Sequence, residues 1–139
     1  MEGTGRHELT LRVRYSETDA MGYLHHSKYA IYFEEGRTEL FRASGGNYRR
    51  MEELGLFFVV SRLDIRFRKP ARYDDLLTLV TTLEKTGAVK LEHRYELKRG
   101  EELLAEATST LACVNGEGKV TPIPENLAEF TAQPDVENP

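Results

Sequence analysis

The chain has one cysteine, Cys113, and no tryptophan. A single thiol excludes an internal disulfide and a metal centre built from several cysteines. Chemistry must therefore come from Asp, Glu, His, Ser, Tyr or backbone groups. Excess positive charge is lacking too: 19 Lys and Arg stand against 23 Asp and Glu, a net charge of -4. That balance argues against a chain-wide grip on nucleic acid or anionic lipid. No apolar run approaches the ~20 residues of a membrane span. The start, Met1-Glu-Gly-Thr-Gly-Arg-His-Glu8, has no hydrophobic stretch of a secretion signal, so a cytoplasmic protein is expected. Internal repeats and low-complexity segments are absent. What is present is 139 residues, 40% hydrophobic and 30% charged. That is enough for one domain over 1–139 that buries roughly two-thirds of its unfolded surface.

The hydropathy period changes along the chain. Leu9, Leu11, Val13 and Tyr15 alternate with Thr10, Arg12 and Arg14, the period of two of a half-buried strand. From Ser27 to Ala43 the apolar residues Tyr29, Ala30, Tyr32, Phe33, Leu40 and Phe41 fall at helical spacing, and Ser44-Gly45-Gly46 supplies a stop. A short helix is expected over Asn47–Leu54, with Asn47 as N-cap and Gly55 past its end. Strands follow. Phe57, Val59, Ser61, Leu63, Ile65 and Phe67 are expected on one face of a long strand closed by Pro70, with Arg62, Asp64, Arg66 and Arg68 on the other. Tyr73-Asp74-Asp75 opens a strand running through Leu77, Leu79 and Thr81 to Leu83. Val89 to Leu97 alternates after a Thr86-Gly87 turn, and Leu103 to Val114 follows an Arg99-Gly100 turn. Asn115-Gly-Glu-Gly118 ends that strand, and the tail 131–139 is expected to be loose. This order predicts an α+β fold, an antiparallel sheet of about five strands curled around one long helix.

The segment Tyr15-Ser-Glu-Thr-Asp-Ala-Met-Gly-Tyr-Leu-His-His-Ser-Lys-Tyr29 carries the chemistry. It hands a strand over to the long helix through a loop containing Gly22. Unpaired N–H groups in a first helical turn stabilise developing negative charge, such as the oxyanion of an attacked carbonyl. Asp19 and His26 share that loop and turn. A carboxylate there can act as base or nucleophile, and an imidazole can donate to a carbonyl or orient its partner. Asp after Thr is also an ordinary turn residue. His25 and His26 do not make a metal pair, because helical neighbours point apart and no third ligand is spaced nearby. His7 and His93 read as strand residues with no special role. Glu34, Glu35 and Glu39 are either solvated and paired with Arg37 and Arg42, or rival carboxylates if one faces inward.

The pattern Arg14-Tyr-Ser-Glu-Thr-Asp19-Ala-Met-Gly22-Tyr-Leu-His-His26-Ser-Lys-Tyr29, followed by Phe33-Glu-Glu-Gly-Arg-Thr-Glu39, resembles the hotdog-fold 4-hydroxybenzoyl-CoA thioesterase family, in particular its YbgC-like acyl-CoA thioesterase branch. Leu56-Phe-Phe-Val-Val60 and Arg66-Phe-Arg-Lys-Pro-Ala-Arg-Tyr-Asp-Asp75 are also similar. The resemblance covers roughly residues 8 to 116. It implies a hydrolase that cleaves the thioester of an acyl-CoA (short-chain, aromatic or fatty) or of a carrier-protein phosphopantetheine. It further implies that Asp19 is the catalytic carboxylate and that the residue at His26 presents its backbone N–H to the thioester carbonyl. Two positions depart from the branch: Met21 stands where Gly is frequent, and His25 where Tyr is frequent.

A CoA substrate needs cations for its phosphates. Arg66, Arg68, Lys69 and Arg72 form the densest basic stretch, either as a phosphate clamp or as a solvated strand face paired with Asp64, Asp74 and Asp75. By resemblance, Val60 and Ser61 lie on the strand that lines the acyl-pantetheine pocket. No cofactor is expected, CoA being part of the substrate. A curved sheet leaves an edge with unpaired backbone groups, so a homodimer is expected, and by resemblance a pairing of dimers into a tetramer. Two other functions fit the fold: an acyl-CoA-binding domain without turnover, and a hydratase or dehydratase of acyl thioesters using Glu34 or Glu35 in place of Asp19.

Overall fold

The computed structural model describes residues 5–131. Strand β1 (Arg6–Arg12) leads through a 3-10 turn at Tyr15–Glu17 into helices α1 (His26–Ala43) and α2 (Tyr48–Glu53). Strands β2 (Phe57–Phe67), β3 (Leu76–Thr86), β4 (Lys90–Arg99) and β5 (Glu102–Val114) follow, and then the short helix α3 (Leu127–Thr131). The strands form one sheet in the order β1-β3-β4-β5-β2, every neighbouring pair antiparallel.

Alternation along each strand becomes rows across the sheet. Leu9 lies opposite Leu79, Leu79 opposite Leu97, Leu97 opposite Ala105, and Ala105 opposite Phe67. The next row runs His7, Thr81, Tyr95, Ala107, Ile65. Onto these rows α1 lays Tyr29, Tyr32, Phe33, Gly36 and Leu40, all buried and spaced three or four apart so that they share one helix face. Phe33 stacks on Tyr95 with ring centroids 4.7 Å apart. The opposite face of β4 presents Lys90, Glu92 and Arg94 to solvent. Burial thus fixes which face of the sheet the helix crosses, and with it where the helix N-terminus lies.

Three expectations are corrected. The first strand ends at Arg12, and Tyr15 belongs to the 3-10 turn and is 79% exposed. The backbone there is diverted: Val13 N–H donates to the Asp75 carbonyl at 3.0 Å, and Arg14 N–H to the Glu17 carboxylate at 2.8 Å. Second, β2 carries a bulge between Val60 and Arg62. A bulge adds one residue and reverses the alternation. Phe58 and Val60, rather than Phe57 and Val59, therefore pair with the buried Cys113 and Leu111, while Leu63, Ile65 and Phe67 keep the expected side. Third, β3 begins at Leu76 rather than Tyr73, because Asp74 adopts a positive φ of 70° and turns the chain. Helix α3, not anticipated from the pattern, closes the sheet end by packing Leu127 with Phe41 and Met51. The expected loose tail lies outside the described residues apart from Thr131, which ends α3.

Candidate active site

The Asp19 loop is a small closed turn. Asp19 N–H donates to the Tyr23 carbonyl (2.8 Å) and Gly22 N–H to the Asp19 carbonyl (3.0 Å). One carboxylate oxygen, Oδ1, accepts from Met21 N–H (2.9 Å) and Tyr23 N–H (3.1 Å). A short side chain with an acceptor at that distance is what such a turn requires. Gly22 has φ of 80°, which favours a residue without Cβ. The turn uses Oδ1 and leaves Oδ2 to the cavity.

The β2–β3 connection holds this loop from outside. Leu24 N–H donates to the Ala71 carbonyl (2.8 Å), and Tyr73 N–H to the Gly22 carbonyl (3.0 Å). Asp75 Oδ2 in turn accepts from Arg72 N–H (2.8 Å) and from Arg99 Nη1 (2.7 Å), whose other nitrogens reach Glu102. The Pro70-Ala-Arg-Tyr-Asp-Asp75 segment therefore works as a clamp. Ala71 is fully buried, where a larger side chain would not fit, and Asp75 ties the clamp to the β4–β5 turn.

Glu17, which sequence reasoning missed, joins the loop to the helix. Its carboxylate is 6% exposed and accepts from Arg14 N–H (2.8 Å), Arg14 Nη2 (3.1 Å) and the Tyr32 hydroxyl of α1 (2.8 Å), while its carbonyl accepts His25 N–H (2.8 Å). Burial pushes the Glu17 carboxyl up, but the Arg14 N–H, the Tyr32 hydroxyl and the Arg14 guanidinium outweigh it and hold it below the ordinary carboxylate range. The same burial and the Glu17 charge push the Tyr32 hydroxyl up, so it stays a donor. Glu17→Gln keeps the shape but loses the charge, and is expected to cost about 1–2 kcal/mol in urea unfolding at neutral pH. Stability from the lowered Glu17 carboxyl is present above its ordinary pH range and lost on acidification, so the gap between wild type and variant should close there.

Helix α1 begins at His26, one residue before the expected start, with His25 as N-cap. Among the described residues the His26 N–H has no acceptor within the chain. Asp19 and His26 line one cavity of about 380 Å³, with Tyr29 and Leu24 behind them and Phe67, Arg68 and Lys69 opposite. A carboxylate oxygen, a helix-start N–H and two cations thus converge on an apolar cleft. Such a set can polarise a carbonyl and activate a nucleophile beside it.

The remaining expected residues are distributed as follows. Arg68 is paired with Glu106 and Lys69 with Glu102 (2.8 Å). The Arg72 guanidinium lies 4.8 Å above the Tyr23 ring, at the loop. Arg66 has no ion pair among the described residues and joins Arg68 and Arg94 around a second cleft of about 230 Å³ on the outer sheet face. Val60 and Ser61 lie at the β2 bulge, and within one chain they do not line the Asp19 cavity. Glu34 and Glu35 are exposed, and Glu34 borders a separate cleft beside Arg37, Thr38 and Tyr48. His7 and His93 are strand residues, as expected, turned under the helix beside Thr81, Tyr95 and Ser109. Among the described residues no three His, Cys, Asp or Glu side chains could hold a metal.

A family model described as the thioesterase-like superfamily matches residues 13–131. The acyl-CoA thioesterase YbgC of Haemophilus influenzae is 35% identical over 114 residues, covering 81% of this chain and 83% of its own. The acyl-CoA thioester hydrolase YbgC of Escherichia coli O6:H1 is 30% identical over 106 residues, covering 76% and 79%. A crystal structure of a DHNA-CoA thioesterase from Staphylococcus aureus, 25% identical, covers 90% of this chain and 85% of its own with a TM-score of 0.85. Matched over nearly all its described length, the chain belongs to the thioesterase-like superfamily, and its sheet and long helix are the expected hotdog fold.

Proposed function

We propose that the chain hydrolyses acyl-CoA thioesters to a free acid and CoA. The observation that carries this reading is the convergence of the free Asp19 Oδ2 and the His26 N–H on one cavity. The His26 N–H polarises the thioester carbonyl, aided by the dipole of α1. Asp19 either attacks the carbonyl carbon or takes a proton from water that does, and the His26 ring assists. In either route the water oxygen ends on the acyl carbon, the C–S bond breaks, and a proton goes to the thiolate. No cofactor is invoked. Glu34 and Glu35 lie outside the cavity, which favours hydrolysis over a hydratase reaction that would need one of them at the thioester.

Arg68 and Lys69 stand at the mouth of the cavity, Arg72 over the loop, and Arg66 without an ion partner just beyond. This placement supports a role in holding the CoA phosphates. Edge strand β2 exposes Val59, Val60, Leu63 and Phe67 over its 11 residues, and a second copy pairing there would cover them and bring Val60 and Ser61 toward a neighbouring site. A homodimer, with dimers pairing into a tetramer, is the assembly proposed. No helix among the described residues is long and apolar enough to cross a membrane, and the compartment proposed is the cytoplasm.

Thiol release from short, aromatic and long acyl-CoAs, followed with a thiol-reactive dye, tests the activity and defines the acyl group. The matching pantetheine thioesters test the phosphate contacts. Arg68→Ala should raise KM about tenfold for the CoA thioester and much less for the truncated one. No thiol release, with acyl-CoA still raising the melting temperature, would establish a binding module instead. Addition of water across enoyl-CoA would establish a hydratase.

A further inference from the structure

We propose that the neutral imidazole of His25 is a titrating N-cap that positions the first turn of α1, so that turnover falls as His25 takes up a proton. This rests on the thioesterase reading of the same site. Helix caps are ordinarily Ser, Thr, Asp or Asn, whose oxygens accept from the second or third helical N–H. Here a ring nitrogen fills that place: His25 Nδ1 accepts from Ser27 N–H at 3.1 Å, with the Ser27 hydroxyl 2.9 Å away. Because Nδ1 must offer its lone pair, the ring proton lies on Nε2.

The rest of His25 is fixed as firmly. Its N–H donates to the Glu17 carbonyl (2.8 Å) and its carbonyl accepts Lys28 N–H (2.9 Å). Its ring stacks on that of His26 with centroids 4.2 Å apart. The peptide joining His25 to His26 carries the N–H aimed at the cavity, so the cap and the carbonyl-polarising donor are one rigid unit.

Protonation breaks the arrangement in two ways. Both ring nitrogens of an imidazolium are donors, so Ser27 N–H loses its acceptor. A positive charge then sits at the positive end of the helix dipole, where it is disfavoured. The titratable and charged groups around His25 are these: His26, stacked on it; Lys28 in the same turn of α1; and Glu17 with its partners Arg14 and Tyr32, already satisfied by one another. Glu35 of α1 acts on the far side, on Arg14. His25 stands where the resembled branch frequently has Tyr, so a titrating cap belongs to this chain rather than to the branch.

The test is the pH profile of kcat and KM from about pH 5 to 8 for wild type, His25→Asn and His25→Ala. Asparagine restores an acceptor that does not titrate. His25→Asn should keep kcat within about twofold at neutral pH and move the acid limb to lower pH, with KM little changed. His25→Ala should lower kcat about fivefold at neutral pH. A second readout needs no turnover: the Ser27 amide proton shift should follow the His25 ring titration in the wild type and stay constant in His25→Asn. Circular dichroism checks that each sample is folded. Burial, together with Arg37, pushes His93 down to about 4. Its stabilising contribution is therefore full above the ordinary histidine range and is lost as pH falls through that range to about 4, alike in all three proteins. An unchanged acid limb in His25→Asn, or a Ser27 amide that ignores the His25 titration, overturns the proposal. If no thioester is cleaved by any form, the Ser27 amide still decides the cap while the thioesterase reading fails separately.

Discussion

Asp19→Asn is expected to lower kcat about 100-fold or more while leaving the melting temperature nearly unchanged. The two effects separate because the two carboxylate oxygens do different work. Oδ1 closes the turn through Met21 N–H and Tyr23 N–H, and an amide oxygen accepts both equally well. Oδ2 faces the cavity, and replacing it with an amide NH₂ removes the lone pair that would attack carbon or take a proton from water. A factor of 100 corresponds to about 2.7 kcal/mol of lost transition-state stabilisation. Asp19→Ala, by contrast, removes the turn acceptor as well and should also lose about 1 kcal/mol of stability. Steady-state thiol release and thermal unfolding, run on all three proteins, check this. Turnover in Asp19→Asn at the wild-type rate would take the carboxylate out of the mechanism.

How much of this was legible in the sequence depends on how far each residue's partner lies along the chain. Strand β4 alternates so regularly, Leu91, His93, Tyr95 and Leu97 against Lys90, Glu92, Arg94 and Glu96, that its inward face could be read directly, and the structure buries that set. The stop at Gly45 and the cap at Asn47 are local devices and stand where expected. The Ser61 bulge is different, because it depends on the register against β5, about fifty residues later. Glu17 looked like one charge in a polar run. Its burial is made by Tyr32 fifteen residues on, and nothing in its immediate neighbours signals that. Asp75 is similar: its value lies in Arg99, across a whole hairpin. In the site itself, the Asp19 and His26 pairing was legible because both lie within one short segment. The cations were legible as a cluster but not in their division of labour, since Arg68 and Lys69 face the cavity whereas Arg66 turns to the outer sheet face.

Gly36→Val is expected to destabilise the fold by about 3 kcal/mol or more. Gly36 is the point at which α1 comes closest to the sheet. A Cβ there would lie 2.4 Å from Thr81 Oγ1 and 2.7 Å from Leu79 Cδ2. Both neighbours are fully buried, and Leu79 is wedged between Leu9 and Leu97 of the flanking strands, so neither side chain has room to turn away. Leaving glycine for valine returns only about 0.5 kcal/mol in helix propensity, too little to offset the overlap. The helix must therefore rise from the sheet, opening the Phe33–Tyr95 stack one turn away and pulling Tyr32 from Glu17. Because Glu17 also accepts His25 N–H, that displacement reaches the start of α1, where the proposed carbonyl-polarising N–H lies. A melting temperature lower by about 10 °C, with kcat reduced in the protein that remains folded, is the expected result. Wild-type stability in urea would mean that α1 is not seated on Leu79 and Thr81, and that the geometry aiming His26 at the cavity has some other origin.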